Sequence, residues 1–185
     1  MNGIKNLQVA GIGLSKTGTM SLNAALKIFG YNSKHYPALI LQNNKLQLQD
    51  LDKEGYNAAV DLSIAKFYKE IAETSPECKF VLTIREIDAW LNSCGMFFAK
   101  IHQDVIVSNT KYLLTEMYGS FIFNRTTWEA AYYTHLNNVI NFFSNQPDRL
   151  LILDVTKPNS FPALARFLNK PVPDTEFPHL NQSIL

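Results

Sequence analysis

Residues 7–22 read LQVAGIGLSKTGTMSL, and their order decides the fold. Leu7 to Gly13 is short and apolar and is broken by glycines, the composition of a buried strand. Leu22, Leu26 and Phe29 follow at spacings of four and three, which puts them on one helix face, and Gly30 closes that helix. Between strand and helix lie Gly11, Gly13 and Gly18 together with Ser15, Lys16, Thr17, Thr19, Met20 and Ser21. Glycines at such a handover let the backbone turn tightly and aim successive N–H groups at one anion. The helix amino terminus adds the positive end of a dipole. Lys16 brings a full charge, and the hydroxyls of Thr17, Thr19 and Ser21 can donate to anionic oxygens. The plainer alternative is a strand-to-helix turn that merely needs glycine. A lysine, a glycine and three hydroxyls packed into residues 16–21 favour the anion loop.

The same alternation runs outward along the chain. Asn32 to Tyr36 reads as a second strand, and residues 38–52 as a polar, weakly patterned helix. Ala58 to Leu62 is a short strand ending at Asp61, followed by a helix from about Ile64 to Glu73. Lys79 to Ile84 is a continuous apolar run of the parallel-sheet type. A helix carrying Trp90, Leu91, Cys94 and Phe98 comes next, and residues 105–146 read as mostly helical. Leu150 to Val155 is another buried strand, and Phe161 to Leu168 a last helix. Strand–helix alternation predicts an α/β fold of three layers, a central mainly parallel sheet flanked by helices. An aromatic-rich helical insertion interrupts it, containing Met96, Phe97, Phe98, Tyr112, Tyr118, Phe121, Phe123, Trp128, Tyr132 and Tyr133. At 185 residues and without a linker or repeat, the chain reads as one domain spanning 1–185.

Composition narrows the function. Hydrophobic residues are 46% of the chain, enough for a core without disulfide or metal staples. Seventeen Lys and Arg stand against 16 Asp and Glu, so broad salt-driven binding to nucleic acid is not expected. Cys78 and Cys94 lack metal-ligand spacing, and two isolated thiols fit a reducing compartment. No apolar run of about 18 residues predicts a membrane span, and the amino terminus lacks a signal-peptide pattern, which together predict a cytoplasmic protein. The sequon triplets at Asn124 and Asn181 read as chance in an Asn-rich chain.

A second cluster of chemistry follows the strand Lys79 to Ile84. Arg85 stands at its end, and Ser93 lies eight residues later on the next helix. An arginine there can hold a phosphate with two parallel N–H bonds, and the serine can donate from above. Taken alone, the pair also reads as a helix-start arginine and a solvated serine.

The glycine-rich turn is not a regular Walker A loop, because Lys16 precedes Gly18 rather than following it. Lys16-Thr17-Gly18-Thr19 resembles the 5′-phosphosulfate loop of the sulfotransferase family, and Gly13-Leu-Ser-Lys-Thr-Gly-Thr-Met-Ser-Leu22 resembles a short branch of it. The Arg85–Ser93 element is similar to that family's 3′-phosphate element. Leu150 to Val155, Phe161 to Leu168 and the proline-rich Pro171 to Pro178 are similar to its closing strand, helix and tail. The resemblance implies a P-loop-type fold and transfer of a sulfuryl group from 3′-phosphoadenosine 5′-phosphosulfate (PAPS), with adenosine 3′,5′-bisphosphate as product and no metal. It implies that Ser15 to Ser21 surround the 5′-phosphosulfate, with Lys16 stabilising the bridging and leaving oxygens. The backbone of Thr17, Gly18 and Thr19, with the Thr19 and Ser21 hydroxyls, would cradle the phosphate. Arg85 and Ser93 would hold the 3′-phosphate.

Relatives use a histidine or a carboxylate as general base. The corresponding place here is Asp61, whose alternative reading is a helix N-cap, and His35 is the second candidate. His102 and His135 fall on helical stretches and read as surface or core residues. Two departures from the family pattern are visible. Met20 stands where several relatives carry threonine, and the Arg-Lys-Gly loop near the carboxyl end is absent, leaving Lys157, Arg166, Lys170 and His179 as the late basic residues. A few of the insertion's aromatics can wall a pocket for a small apolar or aromatic acceptor, while core packing accounts for most of them, and the accepting group is a hydroxyl or an amine. Two competing readings are a Mg-ATP kinase, with Asp154 organising the metal, and a binding module that has lost activity.

Overall fold

The computed structural model describes residues 3–43, 45–100, 106–158 and 160–180. Strand β1 (Val9–Gly11) is the middle of a five-stranded sheet. On one side it pairs with β5 (Ala58–Val60), which pairs in turn with β2 (Ser33–His35). On the other it pairs with β6 (Lys79–Thr83), followed by β7 (Leu150–Leu153). Every one of these pairings is parallel. Strands of this kind are covered on both faces, which is why β1, β5 and β6 are apolar without alternation.

The covering helices separate into two layers. Val9, Val60 and Val81 pack with Leu22 and Leu26 of α1 (Thr19–Ile28) and with Phe161 and Leu164 of α7 (Ser160–Leu168). Ala10, Ala59, Phe80 and Leu82 face the opposite way. There they meet α2 (Leu62–Lys66), α3 (Tyr68–Thr74), α4 (Ile87–Ala99), α5 (Ser108–Tyr118) and α6 (Arg125–Phe142). The result is the expected three-layer α/β architecture. Most insertion aromatics form its second core: Tyr118 stacks on Trp128 at 3.9 Å, and Trp90 lies 4.8 Å from Tyr132.

Three local readings are corrected. Residues 38–52 do not form a helix; they contain an antiparallel hairpin of β3 (Leu39–Gln42) and β4 (Lys45–Leu48). Leu46 and Leu48 are buried while Lys45 and Gln47 are exposed, the period-two pattern of a half-buried ribbon. The helix read over 64–73 is two helices, because the buried Phe67 adopts φ −108° and ψ 18° between them. The strand at Leu150 is a sheet edge rather than a fully buried strand, and Ile152 is 42% exposed. His102 and the triplet at Asn181 lie outside the described residues.

His135, read from sequence as a surface or core residue, is buried on α6 with Nε2 2.8 Å from the Ile12 carbonyl. A carbonyl only accepts, so Nε2 carries the proton and donates. Burial draws its pKa below the ordinary 6.5, against the opposing effect of that hydrogen bond. Folding therefore favours neutral His135, and its contribution is fully present above the unfolded value of about 6.5. As pH falls below that value, the unfolded chain takes up the proton first and stability drops. Urea midpoints at pH 7.5 and 5.5 are expected to differ more for the parent than for His135→Gln. An equal pH response in both would remove His135 from the acid sensitivity.

Candidate functional site

The carboxyl ends of β1, β5 and β6 deliver the turn after Gly11, Asp61 and Arg85 to one edge of the sheet, where doubly wound folds bind ligands. The turn is held from below. Ser15 N–H donates to the Tyr118 hydroxyl (3.1 Å), and the Ser15 carbonyl accepts from Trp90 Nε1 (2.8 Å). Thr17 Oγ1 donates to the Leu14 carbonyl at 2.7 Å and meets Thr83 Oγ1 at 2.6 Å. The Thr17 amide also bonds to Leu14 at 3.2 Å. Thr17 thus turns its amide and hydroxyl inward and locks the loop.

Two residues of the turn take left-handed backbone, Lys16 at φ 71° and Gly18 at φ 94°. Gly18 is needed twice over, since a Cβ there would also run into Val155 Cγ2. It is the N-cap of α1, and no side chain caps that helix. The first turn of α1 and its positive dipole end therefore border the cavity, with Thr19, Met20 and Ser21 on its wall.

Asp61 and His35, offered by the sequence as separate candidates, form a pair, with His35 Nε2 2.8 Å from Asp61 Oδ2. Thr19 Oγ1 lies 3.3 Å from the same nitrogen. The other carboxylate oxygen of Asp61 accepts from Leu62 N–H (2.7 Å) and from Ser15 Oγ (3.2 Å). Asp61 is therefore both the cap of α2 and a member of the pair. It takes φ 93° and ψ −176°, a conformation that non-glycine residues hold only when their surroundings over-determine it.

Arg85 reaches over the loop, its guanidinium 3.4 Å from the Lys16 carbonyl, while the Tyr132 hydroxyl bonds both its amide (3.1 Å) and its carbonyl (2.7 Å). The Lys16 ammonium stands 4.5 Å over the ring of Phe97. Desolvation lowers the Lys16 pKa; the field of Arg85 lowers it further, while Cys94 and Asp61 oppose. Burial pushes the Cys94 thiol up to about 12, against the pull of Lys16 and Arg85.

A cavity of about 760 Å³ joins these groups. Ser15 to Ser21, His35, Asp61 and Arg85 all line it, Met20 included. Ser93 does not; it is 2% exposed behind the wall, and its Oγ has no hydrogen-bond partner among the described residues. Asp154 is not on the wall either, its Oδ1 accepting from the Thr156 amide at 2.9 Å and hydroxyl at 2.6 Å.

Residues 8–184 match the family model of the sulfotransferase domain. The chain belongs to the sulfotransferase family. It is also similar to the Ava biosynthesis cluster protein M of Aspergillus versicolor, at 23% identity over 224 aligned positions, covering 94% of this chain and 80% of that protein. Among the described residues of this family member, no helix is long and apolar enough to cross a membrane.

Sequence reasoning missed several residues of the site. Tyr36, Leu62, Val155 and Thr156 line the cavity, as do His179 and Leu180. Thr83, the one hydroxyl in the body of an apolar strand, was a usable signal for the lock on Thr17. His179 was already among the late basic residues that the sequence left available, and for Leu180 the local sequence holds no signal.

Proposed function

We propose that the chain transfers a sulfuryl group from PAPS to the hydroxyl of a small apolar alcohol or phenol. One observation carries this reading: a single cavity joins the first turn of α1, Lys16 and Arg85 to the Asp61–His35 pair. An anion cradle and a proton acceptor in one space suit in-line transfer between a bound anion and a hydroxyl. The residues present fit the donor. Lys16, Arg85 and the hydroxyls of Thr19 and Ser21 line one cavity, a set of cationic and hydroxyl donors suited to phosphate and sulfate oxygens.

In the reaction the acceptor oxygen forms a bond to sulfur while the bond from sulfur to the 5′-phosphate oxygen breaks. The acceptor proton passes to the Asp61–His35 pair. Charge grows on the departing oxygen, where Lys16 and the first-turn amides of α1 stabilise it. Arg85 holds the 3′-phosphate and the product leaves as adenosine 3′,5′-bisphosphate.

Acceptor chemistry follows from the rest of the wall. Tyr36, Leu62, Phe97, Phe98, Ile106 and Leu114 are mostly apolar. The Tyr36 and Thr110 hydroxyls lie 3.2 Å apart and satisfy each other. A sugar would leave most of its hydroxyls without partners there, whereas a phenol or alkanol buries its body and presents one hydroxyl.

The test is thermal stabilisation by adenosine 3′,5′-bisphosphate, ADP and ATP, each with and without Mg²⁺. At about 100 times its dissociation constant a ligand adds about 2.7 kcal/mol, which for a domain of this size is a rise of roughly 5–10 °C. A metal-independent rise with the bisphosphate is expected. A rise confined to ATP with Mg²⁺ would replace this reading with the kinase, and no rise with any of them would favour the inactive module.

A further inference from the structure

The Ser21 hydroxyl accepts a hydrogen bond from the Leu180 amide at 3.0 Å, across almost the whole chain. Ser21 sits in the first turn of α1, is 3% exposed and lines the cavity. This is its one side-chain hydrogen bond among the described residues. A hydroxyl has one proton and two lone pairs. Accepting from an amide occupies a lone pair and leaves the proton available to a ligand.

The segment bearing Leu180 is anchored independently of the site. Phe177 packs edge-on against Phe161 of α7 at 4.9 Å, and that ring meets Phe29 at 5.6 Å. From this anchor the chain passes His179, whose ring is 6.3 Å from Phe177, and reaches the cavity wall. Leu180 itself is 47% exposed. Burial of its side chain is therefore not what seats it; the contact that matters is made by the backbone.

We propose that the Leu180 amide is a positioning group of the anion site, orienting the Ser21 hydroxyl so that its proton faces the bound anion. The inference rests on the donor reading above and makes the backbone at His179 and Leu180 a functional wall of the site. It assigns the work to an N–H group, so side-chain identity at 180 is free as long as the amide remains.

The experiment separates amide from side chain. Leu180→Pro removes the donor, while Leu180→Ala keeps it. In titrations with adenosine 3′,5′-bisphosphate, Leu180→Pro is expected to raise Kd about tenfold, the scale of one hydrogen bond to a charged group. Leu180→Ala, which trims a side chain on the cavity wall but keeps the N–H, is expected to raise Kd several-fold less than Leu180→Pro. Ser21→Ala produces a loss like that of proline, and Leu180→Pro added to Ser21→Ala changes nothing more, because the two act as one unit. A proline variant that binds like the parent, or that keeps its full effect beside Ser21→Ala, overturns the inference.

A ligand-free arm tests the contact directly. Hydrogen exchange of the Leu180 amide is expected to be slow in the parent and faster in Ser21→Ala; an unprotected amide in the parent also overturns the inference. A parent that binds inorganic sulfate but not the bisphosphate overturns the donor reading alone. The same cycle is then read on sulfate, where absence of coupling would sink the positioning role.

Discussion

Lys16→Ala is expected to lower sulfuryl-transfer turnover by about a thousandfold, while the Kd for adenosine 3′,5′-bisphosphate rises no more than about tenfold. The asymmetry follows from where the charges sit. Arg85 and the first turn of α1 remain to hold the nucleotide when the lysine is gone. The ammonium of Lys16 brings a full charge to the departing oxygen that the first-turn amides do not replace, and removing one such stabiliser costs about 3–4 kcal/mol in well-studied oxyanion sites. The fold should be indifferent. Lys16 has φ 71°, and alanine bears the same left-handed strain as lysine, so the substitution neither adds nor relieves backbone cost. A thermal midpoint close to that of the parent separates this loss from unfolding. The pH profile supplies a second signature. Burial lowers the Lys16 pKa, so the ammonium is lost at a lower pH than the ordinary 10.5, and turnover should decline on the alkaline side earlier than a free lysine would allow. Lys16→Arg, whose charge persists at any working pH, should flatten that alkaline limb. Turnover within tenfold of the parent in Lys16→Ala would remove the residue from the mechanism.

The sequence made the anion loop legible because its chemistry is local. Lysine, glycine and hydroxyls fall within residues 16–21, between a continuous apolar run and a helix with apolar residues at spacings of four and three. The covered strands β1, β5 and β6 were legible for a related reason, since burial on both faces leaves a continuous apolar run. The hairpin was not. Its strands are four residues each, its alternation rests on Leu39, Leu41, Leu46 and Leu48, and Asn43 supplies a left-handed φ of 50° where glycine would have marked a turn. The props under the loop were hidden by distance. Trp90 and Tyr118 lie 75 and 103 residues from Ser15, and aromatics on helices read as core until their polar ends are seen on a backbone. The sequence also split what the fold unites. Asp61 and His35 read as rival bases, but β2 and β5 are parallel neighbours with His35 opposite Val60, so the next residue, Asp61, arrives beside the imidazole.

That union gives the second large effect. Asp61→Asn is expected to reduce turnover by about 10² to 10⁴-fold, the range of positioned proton transfer, with the bisphosphate bound as tightly as in the parent. Asparagine preserves the shape of the side chain and can still accept from Leu62 N–H and Ser15 Oγ through its carbonyl oxygen. It also tolerates positive φ better than most residues, which matters at φ 93°. Stability should therefore hold. What the amide cannot do is take a proton or balance an imidazolium, so the pair loses its capacity to accept the acceptor's proton. Asp61→Ala is a different experiment. It strips the partners from Leu62, Ser15 and His35 together, and its expected loss of thermal stability reports the capping role rather than the chemistry. His35→Gln should cost turnover on a similar scale to Asp61→Asn. The double variant should be little worse than either single one, because two groups in direct contact that act on the same proton are not independent. Additive losses would mean that Asp61 and His35 serve separate steps. Near-parental turnover in Asp61→Asn with bisphosphate still bound would show that the carboxylate at the start of α2 is a cap alone, and that the acceptor's proton leaves by another route.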